Sequence, residues 1–312
     1  MKVQFRKIRI KHLKSGAAAS TKKVVFVAGH KSHGWFAHEH IAGCRLLATQ
    51  LAESGLGYET VVVTDDGYPK DESVFEGADS VVVYCNGGGG HLLNNHLSEF
   101  DSLMRKGVGL ACIHYGVEVP KGDPGKSLLD WIGGYFEVHW SVNPHWTAKF
   151  DHFPDHPISR GIQPFAINDE WYYHMRFRDG MQGVTPILSA LPTKATLRRN
   201  NGPHSGNRHV RAAVLERKEA QHLAWAYQRG ADYGAGRGFG FTGGHNHVNW
   251  GSDNFRRLML NAIVWVSKGE VPEGGVPVQP VSVDDLEANQ DYAKPSKWDR
   301  KKIVQMLEVW NR

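Results

Sequence analysis

Histidine is the residue type with the clearest potential for chemistry here, because the 312 residues of the chain include 18 histidines. Imidazole ligates metals and exchanges protons near neutral pH. Several histidines follow short apolar runs, where a buried strand would end. They are His30, His33, His38 and His40 after the first run, His91 after the third, His114 after the fourth, and His245 and His247 after the last. Because ligands bind beyond the carboxyl ends of the strands in open parallel sheets, these side chains are predicted to converge on one crevice.

His114 lies in the segment Cys112-Ile113-His114-Tyr115-Gly116, which predicts a strand ending in a sharp turn. Such a turn resembles a nucleophile elbow, in which one side chain is presented above the sheet. The presented residue is His114. Cys112 points the same way, since strand side chains alternate, but it lies deeper in the sheet. The segment therefore predicts a functional histidine rather than a thiol nucleophile.

The histidines at the strand ends predict a metal site. His245 follows two glycines, which allow backbone to approach a ligand closely. His38 and His40 lie at the start of a predicted helix, where residues two apart diverge by about 200°. We therefore expect a divalent ion bound by His114, His245 and one of His38 or His40, with that choice left open. Imidazole ligands favour zinc.

The remaining candidates would act on a substrate near this ion. We assign His30, His114 and Glu170 as catalytic candidates, with His30 or Glu170 as the acid/base. The glycines at 87–90 predict a turn whose amides face the crevice, and no Lys-Ser/Thr follows them as in a phosphate-binding P-loop. Aromatic residues in the segment 131–146 could stack on a sugar ring. The predicted substrate-binding residues are Asn86, Gly88, His91, Tyr115, His139 and Trp140.

Alternating strand and helix patterns must position these residues. Such alternation predicts a mainly parallel sheet with right-handed crossovers. The predicted strands are residues 24–28, 58–63, 80–84, 108–113, 212–216, 223–227 and 238–242, with an extra edge strand at 3–10 and a linker at 14–23. The predicted helices are residues 38–54, 97–106, 253–268 and 297–310. We divide the chain into an N-terminal strand and linker at 1–21, an α/β domain at 22–269 and a C-terminal extension at 270–312.

Composition narrows the classes of function. Hydrophobic residues make up 41% and charged residues 22%, as in ordinary globular proteins. The net charge of +5 is spread along the chain without a basic stripe, which argues against nucleic-acid binding. No apolar stretch is long enough for a membrane-spanning helix. The three cysteines lie in apolar runs, which argues against disulfides. Composition leaves the compartment and a homo-oligomer open.

The chain resembles the ThuA-like (trehalose utilisation) family over roughly residues 22–268. The resemblance rests on motifs that occur in a consistent order. These are Gly29-His30-Lys31-Ser32-His33-Gly34, Ala37-His38-Glu39-His40, Tyr84-Cys85-Asn86 with the four glycines and His91, Ile113-His114-Tyr115-Gly116, Trp131-Ile132-Gly133-Gly134-Tyr135-Phe136, Asp155-His156-Pro157-Ile158, Asp169-Glu170-Trp171-Tyr172, and Gly244-His245 leading to Phe255-Arg256-Arg257.

The resemblance implies a flavodoxin-like fold of the class I glutamine amidotransferase-like kind, with helices on both faces of the sheet. That superfamily has a cysteine at the elbow, where this chain has His114, so glutaminase activity is not expected. The family is associated with disaccharide catabolism, particularly through 3-keto sugars. We therefore expect a metal-dependent enzyme that hydrolyses, eliminates or isomerises a small carbohydrate. The alternatives are a non-catalytic carbohydrate-binding or scaffold protein and, least favoured, an amidotransferase-like enzyme using Cys85 or Cys112.

Overall fold

A computed structural model describes residues 21–312. The strand predicted at residues 3–10 and most of the predicted linker lie outside the described residues. The strands are β1 Lys22–Ala28, β2 Tyr58–Val63, β3 Ser80–Tyr84, β4 Gly109–Ile113, β5 Gly134–Tyr135, β6 His145–Phe150, β7 Phe165–Glu170, β8 Arg176–Phe177, β9 Val184–Ala190, β10 Gln221–Gln228 and β11 Arg237–Phe241. The helices are α1 His40–Ala52, α2 Leu97–Arg105, α3 Asp123–Ile132, α4 Arg208–Arg211, α5 Asp253–Val266, α6 Val283–Glu287 and α7 Arg300–Trp310.

Among residues 21–312, the central sheet has seven strands in the order β2-β1-β3-β4-β11-β10-β9. Its first five strands are parallel, and β10 and β9 continue it in antiparallel pairing. The five parallel strands have the flavodoxin-like order, in which the second and first strands precede the third, fourth and last. The predicted fold class is confirmed. All five carboxyl ends therefore lie at one edge of the sheet.

Side chains of successive strand residues pack on opposite faces of the sheet, as the period of two requires. Phe26 of β1 belongs to a core that includes residues of α1 and α5, such as Leu47 and Ile263. Val27, the next residue of β1, belongs to a second core that includes Phe100 of α2 and Leu128 of α3. Helices thus cover both faces, and the continuously apolar sequences of β1, β3 and β4 follow from burial on both sides.

The strand predicted at residues 212–216 is wrong. These residues form a single π turn that continues from α4. The Asn207 side chain accepts hydrogen bonds from the amides of His209 and Val210, so it caps a helix. Val210 and Val214 are buried four residues apart, on one helical face. A four-residue apolar run has too little periodicity to distinguish helix from strand.

The middle of the chain adds two small antiparallel sheets, β5 with β8 and β6 with β7. In the second of these, His145 pairs with Glu170 and Trp146 with Asp169. This register brings a histidine beside an acidic residue at the end of the hairpin. The hairpin thus delivers Glu170 to the edge where the parallel strands end.

The segment 270–312 packs on the α/β core, with Val276 and Leu286 fully buried there. It also contacts the loop before α1, because the Glu39 carboxylate accepts hydrogen bonds from the amides of Phe36 (3.0 Å) and Asp291 (2.8 Å). The predicted terminal helix is present as α7. The domain boundaries at 21/22 and 269/270 stay predictions. Among the described helices, none combines the length and apolar character that crossing a membrane would require.

Candidate metal centre

His114 is held in the turn that follows β4. Its backbone has a φ of 51°, in the left-handed region that side chains other than glycine rarely adopt. The ring is buried, and its Nδ1 lies 2.7 Å from the carbonyl oxygen of Thr242, the residue after β11. Because a carbonyl only accepts hydrogen bonds, Nδ1 carries a proton, and in the neutral ring Nε2 carries the lone pair. The turn therefore presents a metal-ligating nitrogen.

Three further side chains with metal-ligating atoms lie close to this nitrogen. The Nε2 atom of His38 lies 3.1 Å from His114 Nε2 and 2.8 Å from His245 Nδ1. The Glu170 Oε2 atom lies 3.1 Å from His245 Nδ1 and 3.4 Å from His114 Nε2. One ligand atom from each of these four residues lies within 4.8 Å of the others. We call His38, His114, Glu170 and His245 the four-residue centre.

The structure places His38 among the four converging ligand atoms and leaves His40 outside them. His38 precedes α1, with a φ of 53°, and its amide donates to the carbonyl of His245 over 3.0 Å. His40 is the first residue of α1, and its Nδ1 lies 3.0 Å from the carbonyl oxygen of His30. The assignment of His40 as a ligand is therefore corrected, since its ring turns toward the end of β1. Burial lowers the pKa of His40 to about 3.

The charges in the four-residue centre suit a cation. Burial, reinforced by the neighbouring His114 and His245, lowers the pKa of His38 far below its usual value, so this ring is neutral. Burial alone would raise the pKa of Glu170, but its contacts with the His114 and His245 imidazoles outweigh that effect and lower the pKa, so the carboxylate is ionised. Neutral imidazoles and an ionised carboxylate are the forms that ligate metals. The residues present therefore fit a divalent ion.

Asp169 supports the centre from behind. Its carboxylate is completely buried and accepts hydrogen bonds from the amides of Gly244 (2.7 Å) and Asn246 (3.1 Å). It also accepts one from the Asn249 side chain at 2.9 Å. Asp169 is the neighbour of Glu170 in the chain and hydrogen-bonds to the loop that carries His245. It therefore orients both Glu170 and His245.

A cleft of about 560 Å³ adjoins the centre; we call it the histidine cleft. His33 lines it and stacks on His38, with the ring centroids 3.7 Å apart. Tyr115 also lines it and lies edge-on to His38 at 5.4 Å. His33 and Tyr115 therefore lie between the cleft and His38 of the centre. Of the predicted residues, His30, Asn86, Gly88 and Tyr115 line it.

Three predicted substrate-binding residues have other contacts. His91 is buried, with Nε2 donating to the Gly116 carbonyl (3.0 Å) and Nδ1 accepting from the Leu93 amide (3.2 Å), so it holds backbone rather than substrate. His139 is exposed, and its backbone amide donates to the carbonyl of Pro203. The Arg176 guanidinium covers the Trp140 ring at 3.5 Å.

The predicted sugar platform in residues 131–146 is likewise corrected. Trp131, Tyr135, Phe136 and Trp146 are buried in the two cores. Large aromatic side chains in this segment fill the space between the sheet and its covering elements. Ring stacking on a substrate is therefore not available from these four.

Several side chains at the site were not assigned from the sequence. Tyr172 is buried, and its hydroxyl lies 3.1 Å from His114 Nε2. Its spacing of two from Glu170 was the available signal, since strand alternation points both to one side. Glu118 and His204 line the cleft, but His204 lies in an irregular segment without a periodic pattern. Outside this group, the Nε2 atom of His145 lies 4.0 Å from Glu170 Oε1, because the two residues pair in the β6–β7 register.

The cysteines lie outside this arrangement. Cys85 and Cys112 are buried free thiols. Burial raises the pKa of Cys85 to about 12 and raises that of Cys112 well above its usual value. Both sulfurs are therefore protonated at neutral pH, which argues against a thiol nucleophile.

The fold and the site together define a flavodoxin-like α/β protein with a buried three-histidine, one-carboxylate centre at the carboxyl ends of its strands. Residues 23–266 match the family model for ThuA, which is described as trehalose utilisation. The chain belongs to the ThuA family, which is implicated in carbohydrate metabolism.

Two solved structures are similar to this chain. A ThuA-like protein of Bacteroides uniformis has a TM-score of 0.56 at 17% identity, covering 83% of this chain and 98% of that one. A ThuA-like protein of Parabacteroides merdae has a TM-score of 0.53 at 17% identity, covering 88% of this chain and 98% of that one. At these identities the likeness concerns the fold. No protein of curated function matches the sequence.

Proposed function

We propose that this protein is a metal-dependent enzyme that acts on a sugar or keto-sugar bound in the histidine cleft. The observation that carries the proposal is the convergence of four ligand atoms within 4.8 Å, from residues far apart in the chain. Two imidazole nitrogens at hydrogen-bond distance share at most one proton, and His114 Nε2 has none. A cation among these lone pairs would satisfy all of them together.

The ion would be held by His38, His114, His245 and Glu170. Imidazole and carboxylate ligands favour zinc among the common divalent ions. Once bound, it would polarise a sugar carbonyl or activate a water molecule. His38 and His114 are inaccessible, whereas the side chains of Glu170 and His245 are each 12% exposed. Glu170 and His245 are therefore the two members of the centre that solvent reaches.

The ligand contacts change the role proposed for Glu170. An acid/base must give and take protons, but Glu170 is ionised and held by two imidazoles in the centre. We therefore propose Glu170 as a ligand. His30 lines the histidine cleft and remains an acid/base candidate.

A carbohydrate substrate fits both the family and the cleft. Its volume of about 560 Å³ lies within the range of small-molecule sites. Asn86, the backbone of the glycine turn and the Tyr115 hydroxyl offer hydrogen-bond donors and acceptors suited to sugar hydroxyls. Hydrolysis, elimination and isomerisation of a keto-sugar all use a polarised carbonyl or an activated water molecule. The proposal therefore covers these three reaction types.

The test combines metal analysis with an activity screen. Untagged protein is analysed for bound metal by mass spectrometry, and a panel of keto-disaccharides is screened before and after chelation. We expect about one ion per chain and turnover that chelation abolishes and zinc restores. Absence of a stoichiometric ion, together with turnover indifferent to chelator, would contradict the proposal. Sugar binding without turnover, unaffected by chelation and by His114→Ala, would instead identify a non-catalytic carbohydrate-binding protein.

A further inference from the structure

A second pair of titratable groups lies in the histidine cleft, outside the four-residue centre. The Nε2 atom of His204 lies 2.9 Å from the Glu118 Oε1 atom. The Glu118 side chain is only 3% exposed, whereas His204 is 36% exposed. Both residues line the cleft together with His33, which stacks on the ligand candidate His38. The pair therefore joins a buried carboxylate to an imidazole that solvent and a substrate can reach.

Backbone contacts fix the Glu118 half of this pair. Glu118 follows the turn that begins at His114, and its amide donates to the Tyr115 carbonyl over 3.0 Å. The Gly88 amide donates to the Glu118 carbonyl over 2.9 Å. A Cβ at position 88 would lie 3.3 Å from Glu118 Oε1, and Gly88 has a φ of +57°. The glycine turn thus leaves room for the carboxylate.

The His204 half is fixed by a tight loop. Gly202 and Gly206 close it with a backbone hydrogen bond of 3.1 Å. The carbonyl oxygens of Pro203 and His204 accept from the amides of His139 (2.7 Å) and Asn143 (3.0 Å). The His204 ring also stacks on Phe136, with centroids 5.4 Å apart. The imidazole therefore has one orientation, as a catalytic group requires.

The proton arrangement follows from the contact with the carboxylate. An ionised carboxylate only accepts hydrogen bonds, so His204 donates from Nε2 and keeps a basic lone pair on Nδ1. No second side chain hydrogen-bonds to Glu118 among the residues described. An arginine or lysine would serve a purely structural ion pair equally well, but only imidazole can pass a proton near neutral pH.

We propose that His204 is a catalytic residue that accepts a proton from the sugar, and that Glu118 positions it. This inference rests on the metal-dependent function proposed above. In the step, the C–H bond next to the sugar carbonyl breaks, the proton forms an N–H bond at His204 Nδ1, and the electron pair moves to the carbonyl oxygen. In the reverse step the imidazolium returns the proton to the same carbon. The exchange of that proton with solvent is therefore balanced without a further reactant.

The charges around His204 suit this role. Its hydrogen bond to Glu118 raises the pKa above the usual value of 6.5, burial lowers it, and the charge of Glu118 and that of Glu170 raise it. The charge of Arg199 lowers it. The net direction is upward, which strengthens Nδ1 as a base once it is deprotonated.

The experiment follows hydrogen exchange in the full-length, zinc-loaded protein. A methyl 3-keto-glucoside in D₂O is the probe, and NMR reports deuterium incorporation next to the carbonyl. We expect wild type to catalyse exchange and His204→Gln to lose about 100-fold or more, as for removal of an acid/base. Gln retains an amide donor for Glu118. His209→Gln, on the neighbouring helix, is the matched control and should behave as wild type. Zinc content should be equal in all three.

Glu118→Gln tests the positioning role. We expect slower exchange and an acid limb of the pH–rate profile shifted to lower pH, because the carboxylate that raises the His204 pKa is gone. NMR titration of the His204 ring in the same variant should show the same downward shift without any turnover.

The outcomes separate the two proposals. Zinc-dependent exchange by wild type that survives in His204→Gln would overturn the role of His204 and leave the metal-dependent function standing. Loss of zinc from His204→Gln would also overturn it, since the residue would then be structural. Exchange in wild type that ignores chelation would contradict the metal-dependent function itself.

Discussion

The Nε2 atom of His38 lies 2.8 Å from the Nδ1 atom of His245, although the two residues are 207 positions apart in the chain. A backbone hydrogen bond of 3.0 Å from the His38 amide to the His245 carbonyl joins the same two residues. The loop after β1 and the loop after β11 are thus joined by a backbone hydrogen bond as well as by the contact between these side chains. The candidate centre is therefore a product of the fold at the edge of the sheet.

Removing one imidazole from the centre should strongly weaken metal binding. Substituting a residue that only supports a metal ligand typically lowers metal affinity by roughly 10- to 100-fold. We predict a larger loss of zinc affinity for His114→Ala and for His245→Ala. The reason is that each loses a direct ligand atom. Competition with a chromogenic chelator measures the affinity.

The control for these variants is His96→Gln, whose ring stacks on Tyr68 at 3.7 Å, away from the centre. It should bind zinc as wild type does. Equal affinity in His114→Ala and wild type would show that His114 is not a ligand.

The fold was largely predictable because its signals are local. The apolar runs of β1, β3 and β4 record burial on both faces, and the alternation with helices fixes parallel pairing. His114 and His245 were predictable as members of one crevice, since parallel strands end at a common edge.

The remaining site residues depend on contacts that sequence spacing does not encode. The sequence predicts a helix that includes both His38 and His40. In the structure His38 lies before α1 with a backbone φ of 53°, and this conformation places its ring in the centre. His91 follows the glycine turn as a ligand-facing residue would, yet its two ring nitrogens bond backbone. His204 reaches the cleft through a loop closed by Gly202 and Gly206.

Asp169→Asn should disturb both stability and metal binding. Each carboxylate oxygen accepts two N–H groups, Oδ1 from Glu170 and Asn246, and Oδ2 from Gly244 and Asn249. Whichever way the amide of the variant turns, its NH₂ group faces two donors. We expect a loss of about 1–3 kcal/mol in the free energy of unfolding and a fall of roughly 10- to 100-fold in zinc affinity. Chemical denaturation and chelator competition measure the two effects.

The matched control is Asp151→Asn on the same hairpin, where the carboxylate is 46% exposed and pairs with Lys149. It should change stability by less than about 0.5 kcal/mol. A variant at 169 that binds zinc as tightly as wild type would remove Asp169 from the support of the centre.

His91 should make the protein sensitive to acid. Its hydrogen bonds to the Gly116 carbonyl and the Leu93 amide require the neutral ring, and burial lowers its pKa from 6.5 to about 4. Because the folded-state pKa lies below that of the unfolded chain, stability present above pH 6.5 is lost as the pH falls toward 4. The contribution is on the order of 3 kcal/mol.

His91→Gln removes this titration and keeps one donor and one acceptor. We predict that the free energy of unfolding of the variant falls less steeply than that of wild type between pH 6.5 and 4, as urea denaturation would measure. His152→Gln, at an exposed position, should retain the wild-type slope. Parallel curves for His91→Gln and wild type would mean that His91 is not held neutral.

Trp298 of the C-terminal extension should affect metal binding from a distance. Its ring packs on Phe36 at 4.5 Å and on Trp35 at 5.7 Å, in the loop that carries His33 and His38. Truncation to alanine leaves this loop uncovered on one side. We predict that Trp298→Ala lowers the free energy of unfolding by roughly 2 kcal/mol, less than for a fully buried tryptophan, and weakens zinc binding by up to about tenfold.

Trp310→Ala is the matched control, because this half-buried ring also packs on the core but belongs to the last turn of α7. It should lower stability and leave zinc affinity unchanged. If both variants weakened zinc binding in proportion to lost stability, the extension would stabilise the fold generally without holding the loop that carries His38.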